Sequence, residues 1–277
     1  MNKKNKYMSD EDLRKMQIIQ LEMLKEVDRI CKKHNIKYCI IAGTLLGAVR
    51  HGGYIPWDDD ADIAMLREEY DKFCKVCEQE LNQNKFYFQN HKNTKGYRWG
   101  YGKLRRKGTT FIREGQEHMP YESGVFIDIF PLDSVPNSKS MRKIYNCGCT
   151  IVRKMLWSAV GSKTEENMFI KFIYKILAII PLNMVFKLYE LLRIIGSIKE
   201  SEWVRILTFP TPKNNFWGYH KVWYEELEDI VFEKHVFPAT KNYEEYLYFK
   251  FGNYNEFPPL EERKVHTASY YNFDNIK

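Results

Sequence analysis

Long uncharged stretches are missing from the most hydrophobic part of this sequence. Residues 168–198 read MFIKFIYKILAIIPLNMVFKLYELLRIIGSI, but their longest run without a charge, Ile176–Phe186, has 11 residues. A helix that spans a bilayer needs about 20 apolar residues, and Pro181 interrupts this run. We therefore expect two helices that meet at Pro181. They form either a buried helical hairpin or a basic, amphipathic surface that lies on a membrane.

A secretory signal, an internal repeat and a nucleic-acid-binding motif are also missing. The N-terminus, MNKKNKYMSDEDLRK, is polar throughout, and a cytoplasmic protein with reduced thiols is expected. The six cysteines include Cys74-x-x-Cys77, which lies in an amphipathic helical pattern and is expected to pack in the core. The net charge of +7 suits an anionic ligand or a membrane surface, and no nucleic-acid partner is expected.

The residues that most suggest chemistry begin with AGTLLGAVRH, residues 42–51. An apolar run ends there at Gly43-Thr44, and a short helix is predicted to follow. Free backbone N–H groups at the start of such a helix, together with the threonine hydroxyl, can hold a phosphate. Arg50 and His51 at the far end of the helix add positive charge.

Four aspartates follow within five residues: Asp58, Asp59, Asp60 and Asp62. Side chains two residues apart on a strand point to the same face, so Asp60 and Asp62 are expected to converge. So many carboxylates near a core require a cation or a solvated loop. Converging carboxylates are the ligands that Mg²⁺ prefers when substrate phosphates complete its coordination. Asp58 shares the alternation with Asp60 and is preferred over Asp59 as a further ligand.

Another carboxylate, Asp128, lies in the middle of an apolar strand pattern, GVFIDIFPLD at residues 124–133. An unpaired carboxylate in such a strand would be costly. Asp128 is therefore expected either to form an ion pair or to be a third carboxylate of a metal site. Asp133, which follows Pro131, is expected to cap the next segment.

Periodic patterns predict most of the remaining secondary structure. Apolar residues at helical spacing predict a helix that begins after Ser9 and ends near His34. IKYCIIA at 36–42 is expected to be a buried strand, and residues 99–112 a hairpin that turns at Lys107-Gly108. Further helices are expected over 67–81, 138–160 and 242–251, and further strands over 86–91 and 217–224.

The segment GTLLGAVRHGGYIPWDDDADIAM resembles the signature of the LicD family of phosphocholine transferases, which includes the domain of fukutin and fukutin-related protein. GVFIDIFPLD and FGNYNEFPPLEERKVH (251–266) also fit this family. The resemblance implies an α+β nucleotidyltransferase fold, with a mixed sheet flanked by helices and a helical, aromatic-rich C-terminal half. We expect a catalytic core at residues 1–137 and, at 138–277, a region that completes the site. This second region would also dock on a membrane if residues 168–198 form an amphipathic surface rather than a buried hairpin.

The resemblance also implies roles for individual residues. Asp60, Asp62 and Asp128 are the expected catalytic carboxylates, and together with Asp58 they would hold one or two Mg²⁺ ions. Donor contacts are expected from Gly43, Thr44, Arg50, Lys103, Arg105, Arg263 and His266. The alternation of the sequence places Lys103 and Arg105 on one strand face, for which a solvated face is the alternative.

The implied activity is Mg²⁺-dependent transfer of phosphocholine from CDP-choline to a hydroxyl of a cell-surface glycan, such as teichoic acid, lipopolysaccharide or capsule, with release of CMP. The acceptor is expected to be lipid-linked, which would suit peripheral contact with the inner face of the plasma membrane. Choline needs an aromatic box, for which Trp57, Trp99 and Tyr101 are candidates. Three alternatives stay open: transfer of another alcohol phosphate, such as ribitol or glycerol phosphate, nucleotidyl transfer to a small molecule, and a non-catalytic protein that docks on glycans or membranes.

Overall fold

A mixed β-sheet forms the centre of the fold, and helices flank it. The computed structural model describes residues 8–212, 214–263 and 266–273. The helices are α1 (Asp10–His34), α2 (Ala42–His51), α3 (Arg67–Glu80), α4 (Lys139–Thr164), α5 (Met168–Ile179), α6 (Leu182–Ser197), α7 (Val222–Glu225), α8 (Tyr243–Phe251) and a 3₁₀ turn (Leu260–Glu262). The strands are β1 (Cys39–Ile40), β2 (Asp62–Leu66), β3 (Phe86–Gln89), β4 (Gly102–Arg106), β5 (Thr110–Arg113), β6 (Phe126–Ser134), β7 (Trp203–Arg205), β8 (Tyr219–His220), β9 (Leu227–Phe232), β10 (His235–Thr240) and β11 (Ala268–Asn272).

The central sheet has the strand order β1-β2-β6-β4-β3, and β7 joins the far end of β6 and pairs with β8. Strands β2 and β6 are parallel, and the other pairs of this sheet are antiparallel. The register places Asp128 of β6 between Asp62 of β2 and Lys103 of β4. The sheet and its helices confirm the α+β class and the mixed sheet that the sequence predicts.

The segment that carries the four aspartates, residues 58–62, is called the acidic loop below. Helix α1 holds this loop in place from one side of the sheet. Its bounds confirm the prediction, because the Ser9 hydroxyl accepts a hydrogen bond from the Asp12 amide at 3.1 Å and Asn35 ends the helix in a left-handed conformation. Its apolar stripe is buried against β4, β6 and α3. Two buried glutamines, Gln17 and Gln20, donate to the backbone carbonyls of Asp58 and Asp59, each at 2.9 Å.

Two strand predictions were wrong in their extent or pairing. The predicted strand at 36–42 is only two residues long, because Ala42 adopts a positive φ of 53° and starts α2. The predicted hairpin over 99–112 does not form, since β4 pairs with β3 and β6 whereas β5 pairs with β11. The solvated face proposed for Lys103 and Arg105 was also wrong, because both side chains are buried.

The C-terminal half is helical and aromatic-rich, as predicted. Ring-to-ring contacts join residues from 203 to 249, including Trp203 with Phe216 at 5.6 Å and Trp223 with Phe249 at 5.0 Å between centroids. Strands on the two sides of residue 137 pair with each other, β6 with β7 and β5 with β11. A domain boundary at residue 137 stays a prediction.

Helices α5 and α6 meet at Pro181, as predicted, and their axes differ by 92°. In the described part of the chain, no single helix is long and apolar enough to cross a bilayer, although these two together have the length and composition of a bent pair. Helix α6 buries Val185, Tyr189 and Gly196. Helix α5 buries no residue at all, so the interpretation as a buried hairpin was wrong for α5.

Asp133 does not cap a helix, as the sequence suggested, but forms a buried ion pair. Its carboxylate accepts hydrogen bonds from Arg67 Nε at 2.7 Å and Arg67 Nη2 at 2.8 Å. Arg67 also donates to the Tyr189 hydroxyl at 2.8 Å, and that hydroxyl donates to the Gly100 carbonyl at 3.1 Å. This chain of bonds attaches α6 to the end of the sheet.

We expect Asp133→Asn to lower the free energy of unfolding by about 3–5 kcal/mol, because the variant leaves the Arg67 guanidinium buried without its carboxylate. Denaturation in urea measures the change. Lys32→Ala is the control, since it removes an exposed ion pair with Asp28 and should cost at most about 1 kcal/mol. Equal losses in the two variants would contradict a structural role for the buried pair.

Candidate active site

The acidic loop lies against the start of α2. A Cβ atom at Gly43 would lie 2.6 Å from Asp58 Oδ2, so only glycine permits this close approach. The Thr44 hydroxyl accepts a hydrogen bond from the Asp62 amide at 2.8 Å and thereby joins α2 to β2. The N-cap residue Ile41 makes no side-chain cap, but the Ala42 amide in the first turn of α2 donates to the Tyr246 hydroxyl at 3.2 Å. Gly43 and Thr44, both predicted to contact a phosphate, therefore lie beside the carboxylates in the first turn of this helix.

The aspartates of this loop strongly disfavour one another's charged forms. Burial raises the pKa of Asp58 and of Asp62 well above the usual range, and the Asp60 carboxylate raises both further. Burial also raises the pKa of Asp60, although Arg113 opposes the shift. Asp128 adds to the repulsion at Asp60 and Asp62. Such mutual repulsion among half-buried carboxylates is typical of a site that binds a cation.

Asp59 has a partner that the alternation argument could not reveal. Its Oδ1 lies 2.7 Å from His266 Nδ1, and the His266 amide donates to its Oδ2 at 3.0 Å. Asp60 Oδ2 lies 4.0 Å from the same ring nitrogen. Asp59, Asp60 and His266 offer three ligand atoms within 4.8 Å of one another, so this group can hold a metal ion. The sequence favoured Asp58 because it shares the strand alternation with Asp60, and a partner of Asp59 that is 207 residues away leaves no local signal.

Arg113 is a residue of the site that the sequence analysis missed. Its Nη2 lies 3.3 Å from Asp60 Oδ2 and 3.4 Å from His266 Nδ1. Burial lowers the pKa of Arg113, but the surrounding carboxylates, Asp59 first, outweigh burial and leave the pKa raised. Arg113 reaches His266 because β5 pairs with β11. No local signal in the sequence indicates that pairing.

Lys103 and Asp128 form a buried ion pair across neighbouring strands. Lys103 Nζ donates to Asp128 Oδ1, and the ammonium also lies 3.3 Å from the centroid of the Phe126 ring. Burial lowers the pKa of Lys103 to about 7, although the Asp128 carboxylate opposes the shift. The ion pair expected as one alternative for Asp128 is present. Its place beside Asp62 also keeps Asp128 in the carboxylate cluster, and its role as a ligand stays a prediction.

Arg50 and Arg263 form a second positive group beside Trp57, the residue that precedes the acidic loop. The Arg263 guanidinium lies 4.7 Å above the ring of Trp57, which precedes Asp58. The Arg50 guanidinium lies 4.5 Å above the ring of Phe257. Burial lowers the pKa of Arg50, and the neighbouring Arg263 lowers it further. Arg50 Nη1 donates to the Tyr254 carbonyl and Arg263 Nε to the Pro258 carbonyl, each at 2.9 Å, and neither arginine has a carboxylate partner among the described residues.

Arg105 is held within the sheet. Its Nε donates to Gln89 Oε1 at 2.5 Å, and its Nη1 donates to the Gly124 carbonyl at 2.7 Å. These bonds fix the chain just before β6. The predicted contact between Arg105 and the donor stays a prediction.

A cavity of about 640 Å³ opens beside this charged cluster. Its lining includes Lys103, Arg113 and His266, the three groups that contact Asp128, Asp60 and Asp59. The lining is also rich in aromatic residues, with Trp99, Tyr101, Phe126, Trp157, Tyr174 and Phe209. Of the three aromatic candidates, Trp99 and Tyr101 therefore line the cavity, whereas Trp57 lies with Arg263.

Residues 35–151 match the family described as LicD/FKTN/FKRP, nucleotidyltransferase domain. The chain contains a nucleotidyltransferase domain of the LicD/FKTN/FKRP family. This match confirms the resemblance on which the assignment of the acidic loop rests.

Similarity to one LicD protein extends over most of the chain. The lipopolysaccharide cholinephosphotransferase LicD of Haemophilus influenzae is 27% identical over 267 residues, which cover 92% of this chain and 95% of that protein. Two uncharacterized rickettsial proteins match shorter stretches. That of Rickettsia typhi is 42% identical over 72 residues (24% of this chain and 23% of that protein), and that of Rickettsia prowazekii is 46% identical over 68 residues (22% and 26%).

The repulsion within the acidic loop of this LicD-family domain predicts opposite effects of Asp62→Asn without and with a metal ion. In EDTA the variant should be more stable than the wild type by about 1 kcal/mol, because it removes one repelling charge. With a divalent cation at about 100 times its Kd, the wild type should gain about 2.7 kcal/mol and the variant much less. Thermal unfolding with Mg²⁺ or Mn²⁺ measures both effects.

Asp229→Asn is the matched control, because Asp229 is an exposed aspartate on β9. It should leave stability unchanged in EDTA and keep the full gain from the metal ion. A metal-dependent gain in Asp62→Asn equal to that of the wild type would contradict the assignment of Asp62.

Proposed function

We propose that this protein transfers phosphocholine from CDP-choline to a hydroxyl of a cell-surface glycan, with Mg²⁺ as cofactor and CMP as the other product. The observation that carries the proposal is the contact between the carboxylate cluster and a cavity that is lined by both cationic and aromatic side chains. The similarity to the Haemophilus lipopolysaccharide cholinephosphotransferase over 92% of the chain supports the choline donor and a glycan acceptor. A lipid-linked acceptor and a cytoplasmic location belong to the same proposal.

The carboxylates suit a divalent cation, because burial and mutual repulsion disfavour their charged forms when no ion is bound. Asp60 and Asp62, with Asp58 and Asp128, would hold one or two Mg²⁺ ions. Bound there, Mg²⁺ would neutralise charge on the donor diphosphate. An imidazole suits Zn²⁺ better than Mg²⁺, so we assign His266 to orienting Asp59 rather than to ligating Mg²⁺.

The protein's own groups would bind and orient the donor. Lys103 and Arg113 lie where the cavity meets the carboxylates and would contact the phosphates. The amides of Gly43 and Thr44 in the first turn of α2 would be further N–H donors. Arg50 and Arg263 would bind an outer part of the donor. In phosphoryl transfer such positioning and charge stabilisation account for most of the rate.

Asp128 is assigned to the proton of the acceptor. Its carboxylate would take the proton of the acceptor hydroxyl while the hydroxyl oxygen bonds to the phosphorus that carries choline. The bond from that phosphorus to the oxygen of CMP breaks, and CMP leaves. The ion pair with Lys103 fixes the orientation of the carboxylate.

The aromatic residues that line the cavity suit the trimethylammonium group of choline. The ring centroids of Trp99 and Trp157 are 5.8 Å apart, and those of Trp99 and Tyr101 are 6.5 Å apart. Aromatic faces attract a quaternary ammonium through cation–π interactions. We therefore place choline against Trp99 and Trp157, and its phosphate against Lys103 and Arg113.

The basic lining of the cavity favours a second candidate donor. Arg153 and Lys154 lie in the cavity wall with Trp157 and would repel a trimethylammonium group. A CDP-alcohol with an uncharged alcohol, such as CDP-ribitol or CDP-glycerol, avoids this repulsion. The reaction at phosphorus would be the same.

We expect purified protein to release CMP from CDP-choline when Mg²⁺ and a crude glycan acceptor are present. Asp62→Asn should lower the rate by at least about 10³-fold, because the variant weakens the site that neutralises the donor phosphates. Chromatographic measurement of CMP tests this, with Asp229→Asn as the control that keeps the wild-type rate. CDP-ribitol and CDP-glycerol run in parallel. CMP release from only one of these two compounds would identify it as the donor in place of CDP-choline. No release from any of the three would refute the proposed transferase activity.

Trp99→Leu separates the two donors. It should raise the KM for CDP-choline by about tenfold and leave the KM for CDP-glycerol nearly unchanged, because only choline uses the cation–π contact. Trp57→Leu is the matched control. Trp57 lies against Arg263 outside the cavity, so its replacement should change the KM values of both donors alike. Equal changes for the two donors in Trp99→Leu would show that choline does not bind there.

A further inference from the structure

Helix α5 exposes nearly all of its large apolar side chains. None of its 12 residues is buried, and Phe169 and Phe172 are 73% and 61% exposed. The exposed set includes Met168, Phe169, Phe172, Ile173, Ile176 and Ile179. An apolar surface of this kind is rare on a protein that interacts with nothing but water, and it marks an interaction surface.

Helix α6 also has an exposed apolar face. Met184, Leu188, Leu191 and Ile195 recur at helical spacing and are exposed, whereas Val185 faces the core. The two helices thus present apolar faces outward, while their other faces pack on α4. We call the exposed apolar faces of α5 and α6 the outer face.

Positive charge is concentrated in the same part of the chain. Residues 139–199 contain eleven Lys and Arg residues and three Glu residues, a net charge of +8, whereas the whole chain carries +7. The remainder of the chain is therefore close to neutral. Lys175 and Lys187 are exposed on α5 and α6 themselves. A second copy of this chain would bring a like charge to the outer face, whereas an anionic lipid surface complements it.

Helix α5 also contributes to the wall of the cavity of the candidate active site. Tyr174 of α5 lines that cavity together with Arg153, Lys154 and Trp157 of α4. The ring of Tyr174 packs directly on α4, since a Cβ atom at Gly161 would lie 2.6 Å from Tyr174 Cδ2. A membrane or protein that binds α5 would therefore contact a helix that also forms part of the cavity wall.

We propose that the outer face docks on an anionic lipid bilayer. The phenylalanine, isoleucine and leucine side chains enter the boundary between headgroups and acyl chains, and the surrounding lysines bind lipid phosphates. Docking itself does not depend on the proposed transferase activity. Only the further consequence, that the cavity meets an acceptor carried on a lipid, rests on it.

Sedimentation of the full-length protein with vesicles tests the proposal. Vesicles of phosphatidylcholine with about one third phosphatidylglycerol should bind at least about tenfold more tightly than pure phosphatidylcholine, and added salt should weaken the binding. Phe169→Glu/Phe172→Glu should lower the affinity by at least about tenfold. Lys175→Glu/Lys187→Glu should remove most of the preference for phosphatidylglycerol.

The matched control is Ile18→Glu/Val231→Glu. These side chains on α1 and β9 are each 54% exposed, and their replacement should leave vesicle binding unchanged. Circular dichroism checks that every variant is folded. No binding, or equal binding to neutral and anionic vesicles, would overturn the proposal. A dimer that fails to bind vesicles and that Phe169→Glu/Phe172→Glu converts to a monomer would overturn it in favour of a second copy.

Discussion

The constraint on which the site depends is the repulsion among carboxylates brought together at the parallel pair β2 and β6. In the register of the sheet, Asp62, Asp128 and Lys103 stand side by side on three adjacent strands, so the strand order also sets the order of charges. Asp60 lies just before β2 and adds a further negative charge, which Arg113 partly balances. The sheet therefore carries an imbalance of charge that a bound cation would relieve. The LicD-family match supports that use of the cluster without identifying the ion.

Contacts from both ends of the chain hold the acidic loop in this unfavourable arrangement. Gln17 and Gln20 of α1 fix its backbone carbonyls, and His266, close to the C-terminus, fixes the Asp59 carboxylate. Packing of α1 against the sheet stabilises the scaffold, so the loop can remain strained electrostatically without unfolding. The core that supports the site therefore draws on residues from the whole length of the chain.

The cavity lies between this charged cluster and the helices α4 and α5. The Tyr189 hydroxyl joins α6 to the same region, because it bonds both Arg67 at the end of the sheet and Gly100 in the cavity wall. The surface that we assign to lipid and the cavity that we assign to the donor are thus parts of one continuous structure. A basic, apolar surface near the cavity that we assign to the donor suits the proposed acceptor, which is held at a membrane.

The sequence by itself determined the features that depend on residues close together in the chain. These are the ends of α1 at Ser9 and Asn35 and the break at Pro181, and its family signature predicted the fold class. Tertiary structure alone decided the partners: Asp59 with His266, Asp133 with Arg67, and β5 with β11. A polar or apolar pattern shows that a residue needs a partner, but the choice among distant partners depends on the packing of the whole chain. The exposure of α5 was undecided in the sequence for the same reason, since an amphipathic pattern fits a core and a membrane surface equally well.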